Sequence, residues 1–132
     1  MKYRHLGNSG LGVSVIGLGT NNFGGRMEFK EAREVIFSAL DQGINLIDTA
    51  NIYSHGRSEE IIGRALADRR QESLIATKFG MVWEDGPHGH GGSRKHIMDS
   101  LEGSLRRLQT DHVDLYQMHQ QDPDTPIEET LR

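Results

Sequence analysis

The stretch "INLIDTANIYSHGRSEEIIGRAL", residues 44–66, carries the pattern from which the fold follows. It opens with "INLID" at 44–48, a short and mostly apolar run suited to a strand buried on both faces. A polar loop comes next. Ser58 is then placed to cap a helix whose first turn carries Glu59 and Glu60, with Ile61, Ile62, Ala65 and Leu66 on one face. The unit is strand, loop, helix. An acid, Asp48, stands where the strand gives out, and a phenol, Tyr53, follows five residues later in the loop.

The same alternation extends in both directions. Upstream, "EFKEAREVIFSALDQG" has apolar residues at 29, 32, 35, 36, 39 and 40, which is helical spacing, and Gly43 is a fitting C-terminal stop. Before it, "MKYRHLGNSGLGVSVIGLGT" reads as strand, turn, strand about the "GNSG" at 7–10. Downstream, "SLIATK" at 73–78 is a strand. Ser93 can cap a helix aligning Ile97, Leu101, Leu105 and Leu108, and "VDLYQMH" at 113–119 is the next strand. Finally "TPIEETLR" sets Thr125 as a cap, Pro126 at the first helical position and Glu128 three after the cap. Strands alternating with helices over short loops imply βαβ units and a parallel sheet. A closed (β/α)8 barrel takes about 250 residues. The expectation is therefore a single partial domain over 1–132: a parallel (β/α) half-barrel, the amino-terminal part of a TIM (β/α)8 barrel, preceded by a β-hairpin and stopping inside its fourth helix.

Three successive strands end in an ionisable side chain: Asp48, Lys78 and His119. In parallel α/β folds the carboxyl ends of the strands open onto one face, where sites are built. Asp48, Tyr53, Lys78 and His119 are thus expected to converge. A phenol gives up its proton reluctantly at neutral pH, and an adjacent ammonium stabilises the phenolate and makes it a better acid. Asp48 supplies the counter-charge that a desolvated Lys78 needs, and His119 can orient a carbonyl oxygen. Such a set suits a reaction that develops negative charge on oxygen, with the hydride coming from a nicotinamide cofactor. Taken singly, each residue has a plain structural reading: a turn cap, a solvated strand end, a packing tyrosine, a hydrogen-bonded histidine.

"INLIDTANIYSHGRSEEIIGRAL", "LIATKFG", "VDLYQMHQQD" and the opening "YRHLGNSGLGVSVIGLGTNNFGG" together resemble the amino-terminal half of the aldo-keto reductase family. "GRSEEIIGRAL" is similar to its bacterial, potassium-channel β-subunit-like branch. The resemblance implies NADPH-dependent reduction of aldehydes or ketones, with NADH as the alternative cofactor. Tyr53 would be the general acid, Asp48 and Lys78 would tune it, and His119 would position the carbonyl. Gly19, Thr20 and Asp48 match positions near the nicotinamide end of the cofactor. It also implies that most of the grip on the cofactor lies in the other half of the barrel. Four parallel strands alone expose two sheet edges and an unfilled interior, so the isolated chain is expected to be marginal, aggregation-prone or driven to pair with a second half-barrel.

Other motifs carry less. "GLGTNNFGG" at 17–25 fails the dinucleotide fingerprint because Asn22 stands where the third glycine belongs. His88, His90 and His96 have no acidic or cysteine partner beyond Asp85, so the "DGPHGHGG" at 85–92 reads as a polar loop and no metal is expected. Met81 and Trp83 in that loop suit either a substrate pocket or packing. Arg106 and Arg107 end a helix and read as solvated.

The formal net charge of −4, with no block of like charge, favours neither nucleic acid nor an anionic membrane as a partner. The chain is 35% hydrophobic and 26% charged, contains no cysteine, and shows neither a membrane-spanning run nor a signal peptide. A cytoplasmic location and a small-molecule carbonyl substrate are the expectations. Two alternatives share the fold: a non-catalytic cofactor-binding or regulatory subunit, and an inactive fragment.

Overall fold

The computed structural model describes residues 1–132. Two short strands, β1 (Tyr3–His5) and β2 (Gly12–Ser14), form an antiparallel hairpin in which Tyr3 faces Ser14. Four more strands form a parallel sheet in chain order: β3 (Gly17–Gly19), β4 (Leu46–Asp48), β5 (Leu74–Phe79) and β6 (Leu115–Met118). The opening segment thus holds one strand more than its strand–turn–strand reading, because β3 leaves the hairpin after Ile16 to pair with β4. The hairpin is tied to the start of β4 by Asn45. Its Oδ1 accepts from Ser14 N at 2.8 Å, its Nδ2 donates to Gly12 O at 3.0 Å, and its backbone N–H donates to Ser14 Oγ at 3.1 Å.

The crossovers are made by α1 (Phe29–Asp41), α2 (Arg57–Ala65) and α3 (Arg94–Leu108), and a single turn, α4 (Ile127–Thr130), follows β6. The periodic apolar positions become the core: Ile36 and Leu40 of α1, Ile61, Ile62 and Ala65 of α2 with Leu66 beyond its end, and Leu108 of α3 close over Ile47 and Ile75 of the sheet. Strand alternation sends Ile47, Ile75 and Thr77 toward these helices. Leu46, Asp48, Leu74, Ala76, Lys78, Leu115 and Gln117 lie on the opposite, inner face.

Helix starts depart from the sequence reading in two places. Helix α2 begins at Arg57 with Gly56, in the left-handed region at φ +88°, as its N-cap. Ser58 lies inside the helix and is fully buried. Its Oγ is 3.0 Å from Thr49 Oγ1, Thr20 O and Thr20 Oγ1, so a hydroxyl that could cap its own helix instead joins three elements. Before α4 the Thr125 hydroxyl donates to Asp122 Oδ2 at 2.7 Å rather than accepting from the helix, and Pro126 is the N-cap. Ser93 does cap α3, accepting from His96 N at 3.3 Å. At α1 the capping box is made by Glu28 and Glu31.

Candidate active site

The parallel register fixes the site before any side chain is considered. Gly19 is level with Asp48, Asp48 with Ala76, and Lys78 with Gln117, so the ends of β3 to β6 meet on one rim. From that rim Lys78 reaches back across β4. Its Nζ donates to both Asp48 carboxylate oxygens at 2.8 Å and to Thr49 O at 2.8 Å, and it lies 3.4 Å from Tyr53 Oη. Four partners around one Nζ leave it fixed in position. Its side chain is only 13% exposed, so the Asp48 carboxylate is needed to hold an ammonium charge out of water.

Tyr53 comes to Lys78 through an unusual turn. The backbone leaves β4 in hydrogen-bonded steps, with Thr49 N donating to Ala76 O at 2.9 Å and Asn51 N to Lys78 O at 3.2 Å. After Tyr53, three consecutive residues adopt positive φ: Ser54 at 48°, His55 at 52° and Gly56 at 88°. Only glycine enters that region without penalty.

His119 follows β6, its N–H donating to Phe79 O at 2.8 Å. The imidazole meets the Tyr53 ring edge-on, with centroids 5.7 Å apart. Burial, and then the Lys78 ammonium, hold its pKa below the usual imidazole value of 6.5. Its Nδ1 is buried and has no partner. A neutral ring protonated on Nε2 leaves only an acceptor unpaired there. The four residues expected to converge do so.

Gly19 and Thr20 flank Asp48. A Cβ built on Gly19 meets nothing within 4 Å, so a flat group can approach the backbone at the mouth of the sheet. The buried Thr20 hydroxyl donates to Asp48 O at 2.9 Å and accepts from Ser58 Oγ. That ties the end of β3 to the end of β4 and leaves the Thr20 proton committed within the protein. Met81 is half-buried in the loop after β5. Trp83 stacks on His55, the ring centroids 4.1 Å apart and the planes 6° from parallel.

Arg107, read as solvated, is largely covered, and it is paired with Glu59 of the first turn of α2. Glu59 is fully buried, accepting from Thr77 Oγ1 at 2.6 Å and from Arg107 Nε at 2.7 Å, while the Arg107 guanidinium also lies 4.7 Å from the centre of the Trp83 ring. Arg106, next to it, is exposed as expected. A pair separated by 48 residues leaves no local trace in the sequence.

The histidines of the glycine-rich segment form no metal centre. His96 has both ring nitrogens engaged, with His88 O and Ser100 Oγ, and no cluster of His, Asp or Glu capable of holding a metal is present. A cavity of about 430 Å³ between residues 83–89 and α3 is bordered by Asn51 and Trp83 but by none of the four convergent residues. Asn51 Oδ1 and Gln117 Oε1 are buried without partners, a feature the sequence does not signal.

The comparisons with known proteins place this fold in one family. Residues 15–132 match the aldo/keto reductase family model, and the chain belongs to that family. It is 45% identical over 136 residues to the aldo-keto reductase YhdN of Bacillus subtilis, which covers 98% of this chain and 41% of that protein. It is 43% identical over 137 residues to a protein of Oryza sativa subsp. japonica named as a probable voltage-gated potassium channel subunit beta, covering 100% of this chain and 41% of the relative. Among solved structures, the holo form of aldo-keto reductase AKR11C1 from Bacillus halodurans superposes with a TM-score of 0.88 at 43% identity, over 98% of this chain and 44% of that one. The chain thus spans less than half the length of these relatives.

Proposed function

We propose that this chain carries the proton-donating centre of an NADPH-dependent carbonyl reductase, turning aldehydes or ketones into alcohols. The observation that carries the reading is the Lys78 ammonium, bonded to both Asp48 oxygens and within 3.4 Å of the Tyr53 hydroxyl, with His119 against the same ring. A bound nicotinamide would supply the hydride, and NADH is the other cofactor to test. Gly19, Thr20 and Asp48 would form the site for its reactive end, Gly19 by leaving space and Thr20 by tying the ends of β3 and β4 together.

The chain's own part is to place and move one proton. The Nε2–H of neutral His119 donates a hydrogen bond to the substrate carbonyl oxygen and draws it toward Tyr53. As negative charge develops on that oxygen, the phenol hydroxyl transfers its proton to it. The phenolate left behind is stabilised by the Lys78 ammonium, which Asp48 and the Thr49 carbonyl hold in place. Met81 and Trp83 border the approach of the substrate.

The family likeness to a named channel subunit supports a second reading, a partner subunit of the same fold without turnover. A scaffold needs no Tyr53–Lys78 pair, and its presence favours the enzyme. The deciding experiment follows NADPH consumption by absorbance, with an aromatic aldehyde as substrate, in the wild type and in Tyr53→Phe. Turnover abolished by the substitution upholds the reductase, whereas equal rates in both proteins sink the assignment of Tyr53.

A further inference from the structure

Trp83, the single tryptophan of the chain, lies between two loops that the proposed chemistry must hold together. It belongs to the loop after β5, yet its indole stacks on His55, two residues beyond Tyr53 in the loop after β4. The Arg107 guanidinium lies over the same indole. Gly56 closes the joint. A Cβ there would stand 2.7 Å from Arg107 Cδ and 3.2 Å from Trp83 Cη2, so the backbone is seated directly against both side chains.

The contacts continue inward and return to the site. Arg107 is held by buried Glu59, and Glu59 is held by Thr77, the residue before Lys78. Lys78 meets Tyr53. A closed circuit therefore runs from Tyr53 through residues 54–56, Trp83 and Arg107, Glu59, Thr77 and Lys78 back to Tyr53. One segment of it is strained, since Ser54 and His55 both hold positive φ without being glycine. Strained backbone persists only where its surroundings hold it, and the stack on His55 is a side-chain contact that does so from outside the loop.

We propose that the Trp83 indole is a clasp, with His55 and Arg107 as positioning residues, and that together they keep the Tyr53 hydroxyl on the Lys78 ammonium. The clasp rests on the reading of Tyr53 as proton donor. It gives His55, which touches none of the three groups around Tyr53, a role in turnover but none in substrate binding.

The test compares wild type, His55→Ala, His55→Phe and Trp83→Leu by amide hydrogen exchange over residues 51–57 and by steady-state kinetics. Alanine keeps the Cβ and hence the backbone strain at residue 55, so His55→Ala removes the stack alone. The Tyr53 and His55 amides donate to Ala50 O and Ile52 O, which makes exchange a direct reading of the turn. Loss of an aromatic pair is expected to speed exchange there about fivefold in His55→Ala and Trp83→Leu, and to leave β4 unchanged. kcat falls at least as far in His55→Ala with KM unaltered, and His55→Phe, which restores a ring, restores both readouts. Unchanged exchange in both loosened variants overturns the clasp, and so does a loosened turn with unchanged kcat. A wild type without turnover brings down the reductase reading instead, and the exchange rates then decide alone whether the stack holds the turn.

Discussion

Lys78 and Glu59 pose the same problem at residue scale: a charge taken out of water must be met by its neighbours. Glu59 meets it with Arg107 and Thr77. Removing the carboxylate leaves a guanidinium that is only 18% exposed without its partner, so Glu59→Ala is expected to cost about 3 kcal/mol in urea unfolding. Lys78→Met leaves the fold's core untouched and removes the stabiliser of the phenolate. Turnover should drop about a hundredfold or more, a general-acid effect, with a smaller change in KM. His119 adds a pH dependence of known sign. Its folded pKa lies below the unfolded value of 6.5, so on acidification the unfolded chain takes up the proton first. Stability therefore falls as pH drops below 6.5 and levels off once the folded imidazole is protonated, and His119→Gln should flatten that part of the profile. Asp48, Lys78 and His119 were legible in the sequence because each stands where an apolar strand run gives out, at the end of β4, one residue before the end of β5 and one beyond β6. Glu59 and Arg107 were not, because a helix's first-turn acid and last-turn base are its ordinary solvated residues, and only the crossing of α2 and α3 makes them partners.

At the scale of elements, that crossing depends on Gly63. A Cβ at this position would stand 2.6 Å from Arg107 O and from Leu108 C and O, all backbone atoms of α3 that cannot rotate aside. Gly63→Ala must push α2 off α3 and should cost about 1–3 kcal/mol despite alanine's higher helix propensity, read as a lowered urea midpoint. It should also disturb the Glu59–Arg107 pair, so a double-mutant cycle with Glu59→Ala will be non-additive. The α3 cap gives a smaller effect, with Ser93→Ala costing about 1 kcal/mol. Helical faces were legible from the periodicity of residues 29–40, 61–66 and 97–108, because burial on one side is a local regularity. The starts of α2 and α4 were less so. Ser58 and Thr125 are good caps in isolation, but Thr20 and Thr49, brought by tertiary structure, take the Ser58 hydroxyl, and Asp122, three residues back along the chain, takes that of Thr125.

At the scale of the whole molecule, the helices cover one face of the sheet and leave the other open. The two edges, β3 and β6, carry unpaired backbone groups, and the inner face combines Leu46, Leu74 and Leu115, all half-buried, with Asp48, Lys78 and Gln117. Gln117 Oε1 and His119 Nδ1 find no partner within the chain. Both edge and face are open to a complement. In the relatives, of which this chain spans less than half, more polypeptide is available to provide one. For the 132-residue chain on its own, we propose that a second copy does so, β3 or β6 pairing across the interface and the leucine layer being covered from the other side. Sedimentation velocity tests this. A dimer is expected at micromolar concentration, and Leu74→Asp, which sets a charge in the apolar layer without touching the helix-facing core, should shift it to monomer. A wild type that sediments as a folded monomer throughout would show that the open face is tolerated in water. Self-association would then have no part in assembling the Tyr53–Lys78 pair, which a single copy already brings together.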